Sequence, residues 1–393
     1  MTIYLNDCGL ICALGATRDD VRARLFGAAP AGMTHTDRYS PGRTLPLGVV
    51  AADLPDVGHL PLSQRSRNNQ LALAALAQIR PAALDAVARY GAERIGVVIG
   101  TSTSGVDATE RAMVELARTG SLPAEFHYGQ QEMGSAATVI ANDLGALGPA
   151  YAHSSACASS AKALASAARL LRMGLCDAVI AGGVDSLCAF TVAGFSALES
   201  VSSKVCNPLS ANRDGINIGE GAGLFLLTRE PGPVLLAGWG ESSDGYHMSA
   251  PDPAGGGARL AIADALRRAG IAAGDIDYVN LHGTATRQND AMEAAVIADL
   301  FGLEVAVSST KPLTGHTLGA AAAIEAALCW LALGDDNSAG VLPPHLWDGA
   351  PDPALPRLRV AEAGSALGRP LRYVLSNSFA FGGSNAALIL GRA

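Results

Sequence analysis

A chain of 393 residues, 49% of them hydrophobic and 45 of them glycine, has the material for a large buried core and lacks the composition of a disordered segment. Its net charge of −8 argues against nucleic acid as a partner, although an acidic protein can still dock on a local basic patch. No uninterrupted apolar run reaches membrane-span length, and the stretch from Met1 to Asp7 lacks the basic region and cleavage site of a secretory leader, so a cytoplasmic location is expected.

In chain order, residues 2–14 read as a strand and turn, and Arg18 to Phe26 as a short helix. Residues 28–62 are punctuated by Pro and Gly and read as loops with short strands. Ser66 to Ile79 reads as a helix, Arg94 to Gly100 as a buried strand, Asp107 to Thr119 and Ser135 to Leu144 as helices. Pro149 to Ser155 reads as a strand that leads to Cys157, and an Ala- and Leu-rich helix follows to Arg172. Asp177 to Val184 is a second buried strand; Ser202 to Asp214 is loop; Gly219 to Leu227 and Val234 to Glu241 are strands.

A second part starts near residue 235. Its helices are expected at Ala258 to Ala269, Asp290 to Leu300 and Gly319 to Leu333. Its strands are expected at Ile276 to His282, Val305 to Ser309, Tyr373 to Phe379 and Ala386 to Leu390. The Pro-rich stretch from Leu342 to Pro356 reads as an extended surface crossing. Strands alternate with helices in both parts, which implies a layered α/β architecture. An internal duplication is compatible with this order, but no residue-level repeat establishes it.

The seven cysteines form no C-x-x-C pair and suit reduced thiols better than disulfides or a zinc site. Cys8, Cys12, Cys176, Cys188, Cys206 and Cys329 read as structural. Cys157 differs because it sits at or just before the first turn of a helix. Free backbone N–H groups and the helix dipole favour a thiolate there, and small neighbours let a carbonyl approach. A buried cysteine packed as a small hydrophobe is the alternative for this residue taken alone. Three stretches at strand ends shift the balance: His282 to Asp290, Ser308 to Gly319 with Lys311 and His316, and Asn377 to Asn385 with Phe379 and Phe381.

With those motifs in order, the chain resembles the elongating β-ketoacyl-acyl carrier protein synthases of the thiolase superfamily over nearly its whole length. The resemblance implies a five-layer αβαβα fold of two similar halves, 1–234 and 235–393. It implies a decarboxylating Claisen condensation: Cys157 takes an acyl group from acyl carrier protein, and His282 and His316 act on malonyl-carrier protein. Lys311 would hold His316 and the local charges, with Glu325 and Asp290 in support. The backbone N–H groups of Cys157 and Phe381 would form the oxyanion hole. Thr284 and Thr286 would contact the pantetheine arm, and Phe381, Thr103 and Phe195 would border the substrate. Arg65, Arg67 and Lys204 are candidates for a carrier-protein patch, with ordinary solvated charges as the alternative. No metal or redox cofactor is implied. The implied partners are acyl carrier protein and a second subunit, either a second copy or a ketosynthase-like chain-length subunit.

The chemistry needs these residue types. A thiolate is both a good nucleophile and a good leaving group, and neutral imidazole donors stabilise an enolate in a dry site. Departures from the common family pattern are Ala380 in the Phe-Gly loop, where a Cβ disfavours positive φ and would stiffen gating, Glu199 where relatives often carry a basic residue, and a short Asn207–Asn212 loop. Thr103 would make the acyl pocket more polar and hints at a polyene or polyketide intermediate; a hydroxyl bonded to a neighbouring backbone carbonyl is the alternative. A thiolase would want a second cysteine near the C-terminal Gly-rich loop, and none is there. A non-catalytic chain-length subunit usually lacks the nucleophile that Cys157 would supply.

Overall fold

The computed structural model describes residues 2–27 and 32–393; residues 28–31 of the expected loop region lie outside the described residues. The first part of the chain runs β1 (Tyr4–Cys12), α1 (Arg18–Leu25), β2 (Thr34–Thr36), β3 (Leu45–Leu47), α2 (Arg67–Tyr90), β4 (Ile95–Gly100), α3 (Val106–Thr119), α4 (Ser135–Leu144), β5 (Ala150–His153), α5 (Ser159–Arg172), β6 (Ala178–Asp185), α6 (Ala189–Ala197) and β7 (Gly221–Thr228). The second runs β8 (Val234–Ser243), α7 (Gly256–Ala269), β9 (Tyr278–Asn280), α8 (Arg287–Phe301), β10 (Ala306–Ser308), α9 (Lys311–Thr314), α10 (Ala321–Leu333), β11 (Arg359–Val360), β12 (Tyr373–Ala380) and β13 (Ser384–Arg392).

The strand order is the same in both parts. The first set runs β5-β4-β6-β7-β1, and the second runs β10-β9-β12-β13-β8 with β11 added at its edge. In the first set β5, β4 and β6 are parallel, and β7 and β1 follow antiparallel. In the second, β10, β9 and β12 are parallel, and β13 and β8 follow antiparallel. Each strand thus has a counterpart of the same rank in the other set, the topological form of a duplication that no repeat of residues reveals. The sets touch where Tyr4 and Leu5 pair with Leu235 and Val234.

Helices complete five layers. The apolar face of α2 and α4 covers the outer side of the first set. That of α7 and α8 covers the outer side of the second. Between the sets lie α5 and α10, whose alanines and leucines join the largest core cluster. Ala and Gly allow this central layer to be thin. A Cβ on Gly100 would lie 2.3 Å from Ser160 N, so the first turn of α5 reaches the end of β4 only because position 100 has no side chain.

Two expectations change. The helix expected to end at Ile79 continues through Pro81 to Tyr90. Its stripe of Leu71, Ala72, Ala75, Leu76, Ile79, Ala83 and Ala86 is buried along the whole length, and this burial outweighs the local cost of about 3 kcal/mol for an interior proline. By length and composition α2 could also span a membrane, but here it packs on β1, β6 and β7. The second change is in the Leu342–Pro356 stretch. Its first residues, Leu342 to His345, are buried, and only the later part runs along the surface.

Candidate active site

The site lies where strand ends of both sets meet. Cys157 follows β5, while Lys311 and His316 follow β10, the strand of the same rank in the other set. His282 follows β9, and Phe381 follows β12. The first turns of the two central helices therefore face the same place.

Cys157 sits in a sharp turn. Ala156 has φ of +48°, a left-handed conformation that an alanine adopts only under constraint, and α5 starts at Ser159. The Ser159 hydroxyl accepts from the Ser155 N–H at 2.8 Å and donates to the Ala156 carbonyl at 2.6 Å, which closes the turn around the cysteine. The thiol is buried, with 6% exposure. Burial pushes it up to about 12, while Lys311 and the backbone N–H groups of Phe381 and Cys157 pull the other way. Desolvation thus opposes the thiolate that the helix terminus favours.

His316 Nε2 lies 2.9 Å from Cys157 Sγ. Its backbone N–H donates to the Asn217 carbonyl at 2.6 Å, and Gly315 before it takes φ of +71°. The His282 ring stands nearly perpendicular to that of His316, with centroids 5.3 Å apart. Lys311 Nζ is 3.5 Å from His282 Nδ1 and forms a buried ion pair with Glu325. Burial first, and the Lys311 charge second, hold both histidines well below the ordinary imidazole range, so both are neutral. Lys311 is thus closer to His282 than the resemblance suggested, and its carboxylate partner keeps its charge local.

Glu293 is a residue that the sequence reading missed. It is fully buried on α8, accepts the N–H groups of His282 and Gly283 at 2.8 Å each, and receives the Asn377 amide at 3.2 Å. Burial pushes it up to about 7. Its spacing, eleven residues after His282 on the next helix, is the only signal in the sequence.

A cavity of about 230 Å³ opens onto Cys157, His282 and His316. Thr284, Thr286, Phe195 and Phe381 line it. The Phe195 and Phe381 rings face one another with centroids 5.6 Å apart. Asp290 does not reach the cavity. It is buried behind it, accepting from Leu209 N at 2.9 Å and Ala285 N at 3.2 Å, and so ties the 206–214 loop to the His282 loop. Thr103 is also drawn away. Its hydroxyl donates to Asp185 at 2.8 Å and it does not border the cavity, so it gives no ground for a polar acyl chain.

The basic residues separate. Arg67 is not a surface cation, because its guanidinium makes two bonds to buried Glu220 and one to the Val50 carbonyl. Arg65 and Lys204 are exposed, but they border different surface hollows. Ala380 takes φ of −97°, so its Cβ is unstrained; the positive φ values fall on Gly382 and Gly383. Cys157, His282 and His316 present their ligand atoms within 4.8 Å of one another, a set that could meet a soft divalent ion, though the Lys311 ammonium beside them opposes one.

Residues 64–231 match the beta-ketoacyl synthase N-terminal domain, and residues 234–346 match the beta-ketoacyl synthase C-terminal domain. The chain is 34% identical to nodulation protein E of Rhizobium sp. (strain N33) over 98% of both chains. It is 32% identical to 3-oxoacyl-[acyl-carrier-protein] synthase 2 of Staphylococcus aureus, over 96% of this chain and 98% of that one. Among solved structures it is similar to a chain of the ketosynthase ApeO in complex with its chain length factor ApeC from Xenorhabdus doucetiae, at 47% identity and a TM-score of 0.92, over 100% of this chain and 98% of that one.

Proposed function

The chain belongs to the β-ketoacyl synthase family and is a β-ketoacyl-acyl carrier protein synthase, and on that premise we propose how its residues divide the condensing reaction. Cys157 carries the acyl group. Its proton passes to His316 Nε2 as the sulfur attacks the carrier thioester. The oxyanion is held by the N–H groups of Cys157 and Phe381, and the departing pantetheine thiolate takes the proton back from His316.

In the second half-reaction the bond from malonyl carbon to carboxylate breaks and CO₂ leaves. The electron pair passes into an enolate whose oxygen accepts from the neutral imidazole of His282, and from that of His316 in the tautomer that carries its proton on Nε2. The carbanion then attacks the Cys157 thioester; a C–C bond forms, the C–S bond breaks, and the freed Cys157 thiolate takes up a proton from solvent. Lys311 lies beside His282 and, second to burial, keeps both histidines neutral at rest, so a proton that His316 accepts from Cys157 is held only until the leaving thiolate takes it. No step calls for a metal or redox group.

The observation that carries this reading is the 2.9 Å contact from His316 Nε2 to Cys157 Sγ. The partner we propose is a ketosynthase-like chain-length subunit, supported by likeness to a chain of the ApeO–ApeC complex at 47% identity. Acyl carrier protein delivers both substrates, with Lys204 and Arg65 as separate surface contacts. Condensation assays on the chain alone and with a chain-length subunit test this. A β-ketoacyl product two carbons longer, formed only with the second subunit, supports the heterodimer; full activity alone overturns it.

A further inference from the structure

His345 lies outside the residues assigned to the reaction, on the stretch whose sequence reads as a surface crossing. It is 3% exposed. Its Nδ1 accepts the Ser309 backbone N–H at 3.1 Å, and its Nε2 lies 3.0 Å from the Pro208 carbonyl. Its own N–H donates to the Ala361 carbonyl at 2.6 Å, and Trp347 stands edge-on to the ring at 5.6 Å. A backbone N–H can only donate and a carbonyl can only accept. The one form that satisfies both partners is the neutral imidazole with its proton on Nε2.

Ser309 is the junction that this ring holds. Its hydroxyl donates to the Gly283 carbonyl at 2.7 Å, next to His282. The same oxygen accepts the Lys311 backbone N–H at 3.4 Å. Gly283 packs against Ser309 so closely that a Cβ there would meet Ser309 Cβ at 2.5 Å. One serine therefore sets the spacing between the His282 loop and the Lys311 turn, and His345 fixes the backbone of that serine. The turn around Cys157 is closed by other bonds, those of the Ser159 hydroxyl.

We infer that His345 is a positioning residue for the decarboxylation half-reaction, acting through Ser309 on His282 and Lys311. This rests on the proposed roles of His282 and Lys311. It touches neither substrate nor reacting atoms, so its loss should separate the two half-reactions. A displacement of about 1 Å at a reacting group can cost about 10²-fold.

Side-chain geometry supplies the test. Asparagine places its oxygen where Nδ1 stood and can keep the Ser309 bond; glutamine places its nitrogen near the Nε2 position and can keep only the Pro208 bond. Acylation of Cys157 by acyl-carrier protein and CO₂ release from malonyl-carrier protein are measured for wild type, His345→Asn and His345→Gln, with any required second subunit present. Acylation is expected to stay within about twofold in both variants. CO₂ release is expected near wild type in His345→Asn and lowered about 10-fold to 10²-fold in His345→Gln. Equal CO₂ release in the two variants, or equal loss of both half-reactions, overturns the inference. His282→Ala, run alongside, separates the failures. If His282→Ala keeps full CO₂ release, the role of His282 falls and the inference with it. If it loses CO₂ release while His345→Gln keeps it, only the positioning role falls.

Discussion

His316 Nε2 touches Cys157 Sγ, while His282 touches Lys311 instead of the sulfur. The two histidines therefore differ in kind: one can share the thiol proton, and the other can only act on what enters the cavity. His282→Ala should leave acylation of Cys157 intact and lower CO₂ release from malonyl-carrier protein by about 10²–10³. His316→Ala should slow both steps. Separate assays of the acyl-enzyme by mass and of CO₂ release check this; a His316→Ala variant that acylates at the wild-type rate contradicts it.

The Lys311–Glu325 pair is nearly without solvent, at 1% and 2% side-chain exposure. Removing one partner leaves a buried charge unpaired, a change worth about 3–5 kcal/mol. Lys311→Ala should lower the urea midpoint accordingly. Lys311→Met with Glu325→Leu should recover most of that stability but not the activity, because the charge beside His282 is gone. Recovery of both would remove Lys311 from the site chemistry.

Much of this site was legible in the sequence, and the reason is local. Cys157 announces itself by a small-residue turn and the start of an Ala-rich helix, and His282, Lys311, His316 and Phe381 each lie just past a strand. What was not legible depends on partners far along the chain. Arg67 reads as a surface cation until Glu220, 153 residues away, is brought beside it. His345 reads as part of a Pro-rich crossing until Pro208 and Ser309 close around it. The helix α6, which brings Phe195 to the cavity, has no contrast of polar and apolar faces to betray it. The matching strand orders appear only once the strands are paired.

Acid should destabilise the fold in a defined window. Burial lowers His345 to about 4, so the unfolded chain binds the extra proton between its ordinary value near 6.5 and that value. Stability is then present above pH 6.5 and is lost as pH falls, by about 2 kcal/mol between pH 7 and pH 5 for this residue. Glu293, raised to about 7, acts oppositely: its folded form keeps a proton that the unfolded chain has released, so it favours folding at lower pH. Urea unfolding at pH 7 and pH 5 should show a smaller acid loss in His345→Asn and a larger one in Glu293→Gln. No change in either slope contradicts these assignments.

Backbone conformation makes positions 380 and 383 unequal. Ala380 is in extended backbone, so Ala380→Gly should cost no more than about 1 kcal/mol and leave condensation near wild type. Gly383 has φ of +72°, and a Cβ there would lie 2.8 Å from Asp244 Cβ. Gly383→Ala should displace the neighbouring Phe381 N–H and slow acylation by about 10²-fold. Acylation rates for the two variants decide the matter; the reverse ranking contradicts it.

The most direct test is the intact mass of the protein, with its second subunit if one is needed, after acyl-carrier protein and again after malonyl-carrier protein. The expected result is a mass gain of one acyl group on Cys157, absent from Cys157→Ala, that disappears on adding malonyl-carrier protein as a β-ketoacyl product two carbons longer forms. An acyl group that Cys157→Ala also takes up, or one that malonyl-carrier protein fails to discharge, would contradict Cys157 as the carrier of the growing chain.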